Sequence, residues 1–169
     1  MVKITESKMV FGPYAKENVF EIEKSKINKN AGENISIVEF MLVWDETKIL
    51  FVEAKSSTPK ESTDRERFKK FVLEIKEKFI HSFELFQALR CQRYETNENI
   101  GNNLKNLDWK CCEIKFVIVI HGHRKEWLVP IREALLKEME SFSKIWKSTV
   151  IVLNEEMAMK RRLISALEE

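Results

Sequence analysis

Apolar residues fill both faces of a period-two repeat in "ISIVEFMLVW" (35 to 44), with Ile35, Ile37, Met41 and Val43 on one side and Val38, Phe40, Leu42 and Trp44 on the other. Strand side chains alternate between faces, so this pattern predicts a strand covered from both directions. "DETK" then turns the chain, and "KILFVEAK" (48 to 55) predicts a second such strand, stopped by Ser56, Ser57, Thr58 and Pro59. Upstream, after a leader with no clear pattern, "VFEIEKSK" (19 to 26) alternates as a half-exposed strand, and "NKNAGEN" (28 to 34) carries turn residues.

From about Ser62 to Tyr94 the period lengthens to that of a helix. Phe68, Phe71, Val72, Ile75, Phe79, Phe83, Phe86 and Leu89 form a stripe, with Lys69, Lys70, Lys76, Glu77 and Lys78 mostly off it. The expectation is one long amphipathic helix with at most one break, followed by an Asn-rich loop over 95 to 109. "EIKFVIVIHGH" (113 to 123) predicts a strand whose apolar run ends at His121. "LVPIREALLKEMESFSKIW" (128 to 146) predicts a helix with Pro130 in its first turn, where proline is tolerated. "STVIVL" (148 to 153) predicts a further strand, and Asn154 an N-cap for a last helix.

Strands joined by short turns pair antiparallel, and strands reached through helices pair parallel by right-handed crossovers. The expected fold is therefore α/β: a single domain over 1–169 with a mixed central sheet, a three-strand antiparallel meander followed by parallel strands through crossover helices, flanked by helices. The 169 residues, 44% hydrophobic and 33% charged, are enough for one domain with a core.

A net charge of +2 means that a nucleic-acid partner would need a local basic surface. Cys91, Cys111 and Cys112 are odd in number, lack CxxC spacing and suit a reducing compartment. No apolar run approaches the ~20 residues of a membrane helix, and the N-terminal segment has no apolar core of the secretory kind. The expectation is a cytoplasmic protein with no membrane association.

Two charges interrupt the second buried strand. Glu53 and Lys55 project to the same face as Ile49 and Phe51. If the turn is the three-residue loop Asp45-Glu46-Thr47, Trp44 pairs with Lys48 and Glu39 lies across from Glu53. A five-residue loop keeps the glutamates on one face, whereas a two-residue loop separates them. Facing carboxylates on a buried face repel, so a positive group is expected between them: Lys55 alone, or Lys55 with a divalent ion. Oxygen ligands on a rigid scaffold suit Mg²⁺ or Mn²⁺, which take one or two protein carboxylates together with waters and substrate phosphate oxygens.

An acid on one strand of a central hairpin, Glu-x-Lys on the next, then a long helix and a strand: this arrangement resembles the PD-(D/E)xK phosphodiesterase superfamily, with the restriction-endonuclease-like fold, over about residues 19–121. The helix-strand-helix segment 125–169 lies outside the matched core. The resemblance implies a Mg²⁺-dependent nuclease, with Mn²⁺ as the substitute ion, acting on nucleic acid and above all DNA. It implies Glu39 as the first acid, Glu53 and Lys55 as the Glu-x-Lys half, the Ala54 carbonyl as a further metal contact, and Glu21 or Glu23 as an additional acid. Here the first acid is Glu where the family more often has Asp, and Val38 stands where it often has proline. The alternative within the same fold is a catalytically idle module that binds nucleic acid or protein.

Lys60, Arg65, His121, His123 and Arg124 are candidate substrate contacts, because they follow strands whose ends gather at the ligand-binding edge of a parallel sheet. Arg67, Lys69 and Lys70 extend the basic series, diluted by Glu61, Asp64 and Glu66. Gln87, Gln92 and Tyr94 read as ordinary helix surface.

Overall fold

A computed structural model describes residues 1–32, 35–94 and 100–165. A hairpin of β1 (Val2–Glu6) and β2 (Met9–Tyr14) precedes a 3₁₀ turn and β3 (Val19–Phe20). Then come α1 (Lys26–Ala31), β4 (Phe40–Trp44), β5 (Lys48–Lys55), α2 (Arg65–Arg90) and α3 (Asn102–Lys105). The chain closes with β6 (Glu113–Ile120), α4 (Lys125–Glu138), α5 (Glu140–Trp146), β7 (Thr149–Asn154) and α6 (Glu155–Lys160). The main sheet runs β3-β4-β5-β6-β7, antiparallel through β5 and parallel from β5 to β7. This is the expected mixed α/β architecture, with a two-stranded antiparallel sheet added by the leader.

The doubly apolar pattern of β4 and β5 has two layers to serve. Met41, Val43, Ile49 and Phe51 face α2 and α4, together with Phe116, Ile118 and Ile120 of β6. Phe40, Leu42, Leu50 and Val52 face the β1–β2 hairpin and the C-terminal residues Ala158, Leu163 and Ile164. α2 is unbroken over 26 residues, begun by Asp64, whose carboxylate accepts from the Arg67 N–H at 3.0 Å. Its sequence contains neither glycine nor proline to interrupt it. Phe79 and Phe83 set their rings against Phe116 and Phe51 at centroid distances of 5.1 and 5.9 Å. Each such fully buried ring contributes on the order of 2–3 kcal/mol of transfer free energy.

The turn between β4 and β5 decides the site. Trp44 pairs with Lys48 and Phe40 with Val52, so the loop is Asp45-Glu46-Thr47, three residues. Asp45 and Glu46 take left-handed conformations, φ 51° and 59°.

Several boundaries differ from the pattern-based expectation. The strand expected over 19–26 stops at Phe20, because Ser25 caps a helix instead: its hydroxyl accepts from the Asn28 N–H at 3.2 Å and donates to the Ile22 carbonyl at 2.6 Å. The turn expected over 28–34 is accordingly helical through Ala31, and its residues 33–34 lie outside the described residues. The strand expected from residue 35 begins at Phe40. Ile37 and Val38 both pack toward α2, breaking the alternation, because the Val38 N–H is captured by the Ser82 hydroxyl at 2.8 Å. The helix expected over 128–146 starts at Lys125 and divides at Met139, so Pro130 sits in its second turn. The last helix ends at Lys160, after which Ile164 bridges to Phe11. Residues 95–99 of the Asn-rich loop and 166–169 of the tail lie outside the described residues.

Candidate functional site

Glu53 is fully buried, at 0% exposure, near the C-terminal end of β5. Its Oε1 accepts from Lys78 of α2 at 2.8 Å and pairs with Lys55 at 3.1 Å. Among the described residues, its Oε2 has no hydrogen-bond partner. Burial pushes the Glu53 pKa up, and the two lysines counter that only in part. Lys55 also reaches Glu74 of α2 at 3.3 Å. Burial pulls the Lys55 pKa down, but Glu53 and Glu74 more than offset this and hold it above the usual lysine value.

Glu39 lies one step beyond the Phe40–Val52 pair, close enough to Glu53 for the two charges to repel. Its carboxyl is hydrogen-bonded to that of Glu23, an arrangement that requires a proton between them. Partial burial, this hydrogen bond and the repulsion from Glu53, Glu23 and Glu6 raise its pKa to about 8. Glu39 is thus largely protonated at neutral pH, a carboxyl that releases its proton only to a competing cation or to alkali.

The two expected extra acids part company. Glu23 meets Glu39, whereas Glu21 is engaged with Lys24 at 2.8 Å, the same ammonium that pairs with Glu6 at 3.0 Å. Glu6, at the end of β1, comes from a segment with no legible pattern and adds negative potential from the hairpin side. The Ala54 carbonyl, implied as a metal contact, accepts a hydrogen bond from the Ser7 hydroxyl at 3.1 Å, which leaves one of its two lone-pair directions for another partner.

Among the described residues, no three His, Cys, Asp or Glu side chains are arranged to hold a metal ion. The cluster offers two carboxylates, Glu53 and Glu39, the former with a buried oxygen that meets no hydrogen-bond partner among the described residues. Two is the number Mg²⁺ commonly takes from a protein when waters and substrate phosphate supply the remainder.

Beyond the carboxylates, a cleft of about 580 Å³ opens beside Lys55, lined by Ser57, Thr58, Pro59, Arg67, Lys70 and Glu74. Arg67 and Lys70 join the site from α2, but Arg65 is turned into a different groove, between α2 and α4. His121 comes off the end of β6 and its backbone N–H donates to the Lys55 carbonyl at 2.9 Å. Its ring lies on the other side of the sheet, 2.9 Å from Glu155 at the start of α6, so it shares the edge with Lys55 but not the face. His123 instead meets Thr58 at 2.6 Å, and burial, reinforced by nearby Lys60, keeps its pKa below the ordinary imidazole value. Lys60 and Arg124 both lie over the ring of Trp127. Gln92 and Tyr94 fall beyond the end of α2, and Tyr94 packs against the core.

The residue that pattern reading missed is Lys78. It sits three after Ile75 and four before Ser82, both buried, on the flank of the apolar stripe. That spacing was the available signal: a lysine on the edge of a buried face needs an anion.

No protein-family model matches the chain, and neither a curated protein nor a solved structure matches it.

Proposed function

We propose that this protein is a metal-dependent phosphodiesterase of the PD-(D/E)xK kind, cleaving nucleic acid and preferentially DNA, with Glu39, Glu53 and Lys55 as its catalytic residues. The observation that carries the reading is Glu53: a wholly buried carboxylate with one oxygen held by lysines and the other unpartnered among the described residues, next to a second acid across the hairpin. Burying an acid this way is costly, and structural ion pairs rarely repay the desolvation.

Glu53 Oε2 and the deprotonated Glu39 carboxylate would hold Mg²⁺ or Mn²⁺, with the Ala54 carbonyl in reach as a third oxygen. When bound, the ion supplies charge neutralisation at the phosphate and a more acidic water. Lys55, tethered between Glu53 and Glu74, orients the attacking water and stabilises negative charge developing on the phosphate oxygens. Arg67 and Lys70 bind flanking phosphates along the cleft. The free thiols Cys91, Cys111 and Cys112 suit a cytoplasmic setting.

Lys78 favours a second reading. It sits closer to Glu53 than Lys55 does and occupies Oε1 from α2, as expected of an idle module in which the carboxylate has become structural. One assay separates the two. Purified protein is incubated with single-stranded, duplex, branched and RNA substrates in Mg²⁺, Mn²⁺ or EDTA, alongside Glu53→Gln and Lys55→Met. Metal-dependent cleavage lost in both variants is the expected result, with a drop of at least a hundredfold for each. Absence of cleavage on every substrate, with binding unaffected by metal or by Lys55→Met, would establish the idle module.

A further inference from the structure

Trp127, in the first turn of α4, is 37% exposed, although aromatic side chains of its size are usually more deeply covered. Three groups from two loops converge on it. The Lys60 ammonium lies 3.9 Å from the ring centroid, the Arg124 guanidinium carbon 5.6 Å, and the His123 ring stands edge-on at 5.5 Å. The Thr58 to His123 contact at 2.6 Å ties the loop after β5 to the loop after β6 and so fixes the aromatic position relative to Lys55.

A cavity of about 280 Å³ opens at this ring, between Thr58, Pro59, Lys60, His123 and Pro130, with Glu61 and Glu126 also on its wall. It shares Thr58 and Pro59 with the basic cleft beside Lys55. The two hollows therefore adjoin at Thr58 and Pro59: Lys55, Arg67 and Lys70 line one, and the exposed indole with Lys60 lines the other.

A stackable aromatic plane next to a row of cations suits single-stranded nucleic acid, where bases stack on rings and phosphates follow the positive groove. A duplex keeps its bases stacked on each other and has no use for the indole. A nucleobase sliding onto Trp127 displaces Lys60 from the ring to a neighbouring phosphate, exchanging a cation–π contact for a charge-assisted hydrogen bond.

We propose that the Thr58–His123–Trp127 corner is a stacking subsite that holds one unpaired base beside the Glu53 centre, so that the substrate enters as a single strand or a frayed end. The proposal rests on the nucleic-acid reading above, and binding in EDTA tests it without requiring cleavage.

Fluorescence anisotropy of labelled oligothymidylate and oligouridylate is measured in EDTA at several salt concentrations, against a duplex of the same length. The expected result is tighter binding of the single strands, weakened by about fivefold or more in Trp127→Ala, the equivalent of at least ~1 kcal/mol of stacking. Trp127→Phe retains most of the affinity. Lys60→Ala and Arg124→Ala each reduce the salt slope by about one. Thymidylate bound in preference to uridylate, or the reverse, assigns the strand to DNA or RNA and supports the subsite either way.

Single strands bound equally by wild type and Trp127→Ala, with both folded by circular dichroism, would overturn it. So would Trp127-dependent binding of polyglutamate as tight as that of the oligonucleotides, which makes the corner an acidic-peptide site. Failure of cleavage with Trp127-dependent binding intact removes the nuclease reading and leaves the subsite standing.

Discussion

Lys78 and Lys55 approach the same oxygen of Glu53, Oε1, at 2.8 and 3.1 Å from opposite sources, one from helix α2 and one from its own strand. The geometry ties the long helix to the sheet at the end where the candidate site lies. It also leaves the other carboxylate oxygen without a hydrogen-bond partner among the described residues.

Removing Lys78 leaves a buried carboxylate with a single, partly exposed counter-ion. The side chain of Lys78 is 12% exposed and that of Lys55 24%. Lys78→Met is expected to lower unfolding stability by about 3 kcal/mol, the usual cost of breaking a buried pair from one side. Urea denaturation measures this. An unchanged midpoint would mean that the ion pair carries no net stability, and an increase would mark Lys78 as a residue kept for something other than folding.

The pKa of about 8 at Glu39 makes stability depend on pH with a definite sign. The folded protein holds this proton more tightly than the unfolded chain, whose glutamate titrates near 4.5. The group's contribution is full below about pH 4.5 and is lost as pH rises through 8. Glu39→Gln keeps the shape and flattens that decline. Mg²⁺ at pH 8 and above is expected to raise the thermal midpoint of the wild type, less so at pH 6, and not to stabilise Glu39→Gln. Thermal unfolding across this pH series, with Mg²⁺ or EDTA, tests both parts. Equal Mg²⁺ shifts in wild type and variant would exclude Glu39 as a ligand.

Ser82 is a buried hydroxyl in the middle of α2 that donates to the Lys78 carbonyl at 2.6 Å and accepts from the Val38 N–H at 2.8 Å. Ser82→Ala strands that N–H, which costs about 1–3 kcal/mol. The residue after Val38 is Glu39, so the same change is expected to loosen the acid and weaken Mg²⁺ binding in calorimetry. Loss of stability with metal affinity intact would show that Ser82 supports the fold only.

The doubly apolar strands, their order and the long helix were legible because each obeys a local period that a buried environment enforces. The boundaries that moved did so where a single side chain outbid the pattern: Ser25 capped a helix where alternation predicted strand, and Ser82 pulled Val38 out of the sheet ladder. The apolar run from Leu128 predicts Pro130 in a first turn, whereas the helix opens three residues earlier on Lys125, a polar position that periodicity does not mark.

Glu53 and Lys55 were visible as charges interrupting an apolar strand, and Glu39 as their partner on condition of an odd loop. By itself, then, the sequence determined which face of β5 carries Glu53 and Lys55. Only the tertiary structure decided the loop length, the lysine that α2 turns toward Glu53, and the arrival of Glu6 and Glu23 around Glu39. Periodicity encodes the side of an element on which a residue sits. What meets it there depends on how helix and hairpin dock, an outcome of packing summed over the whole core.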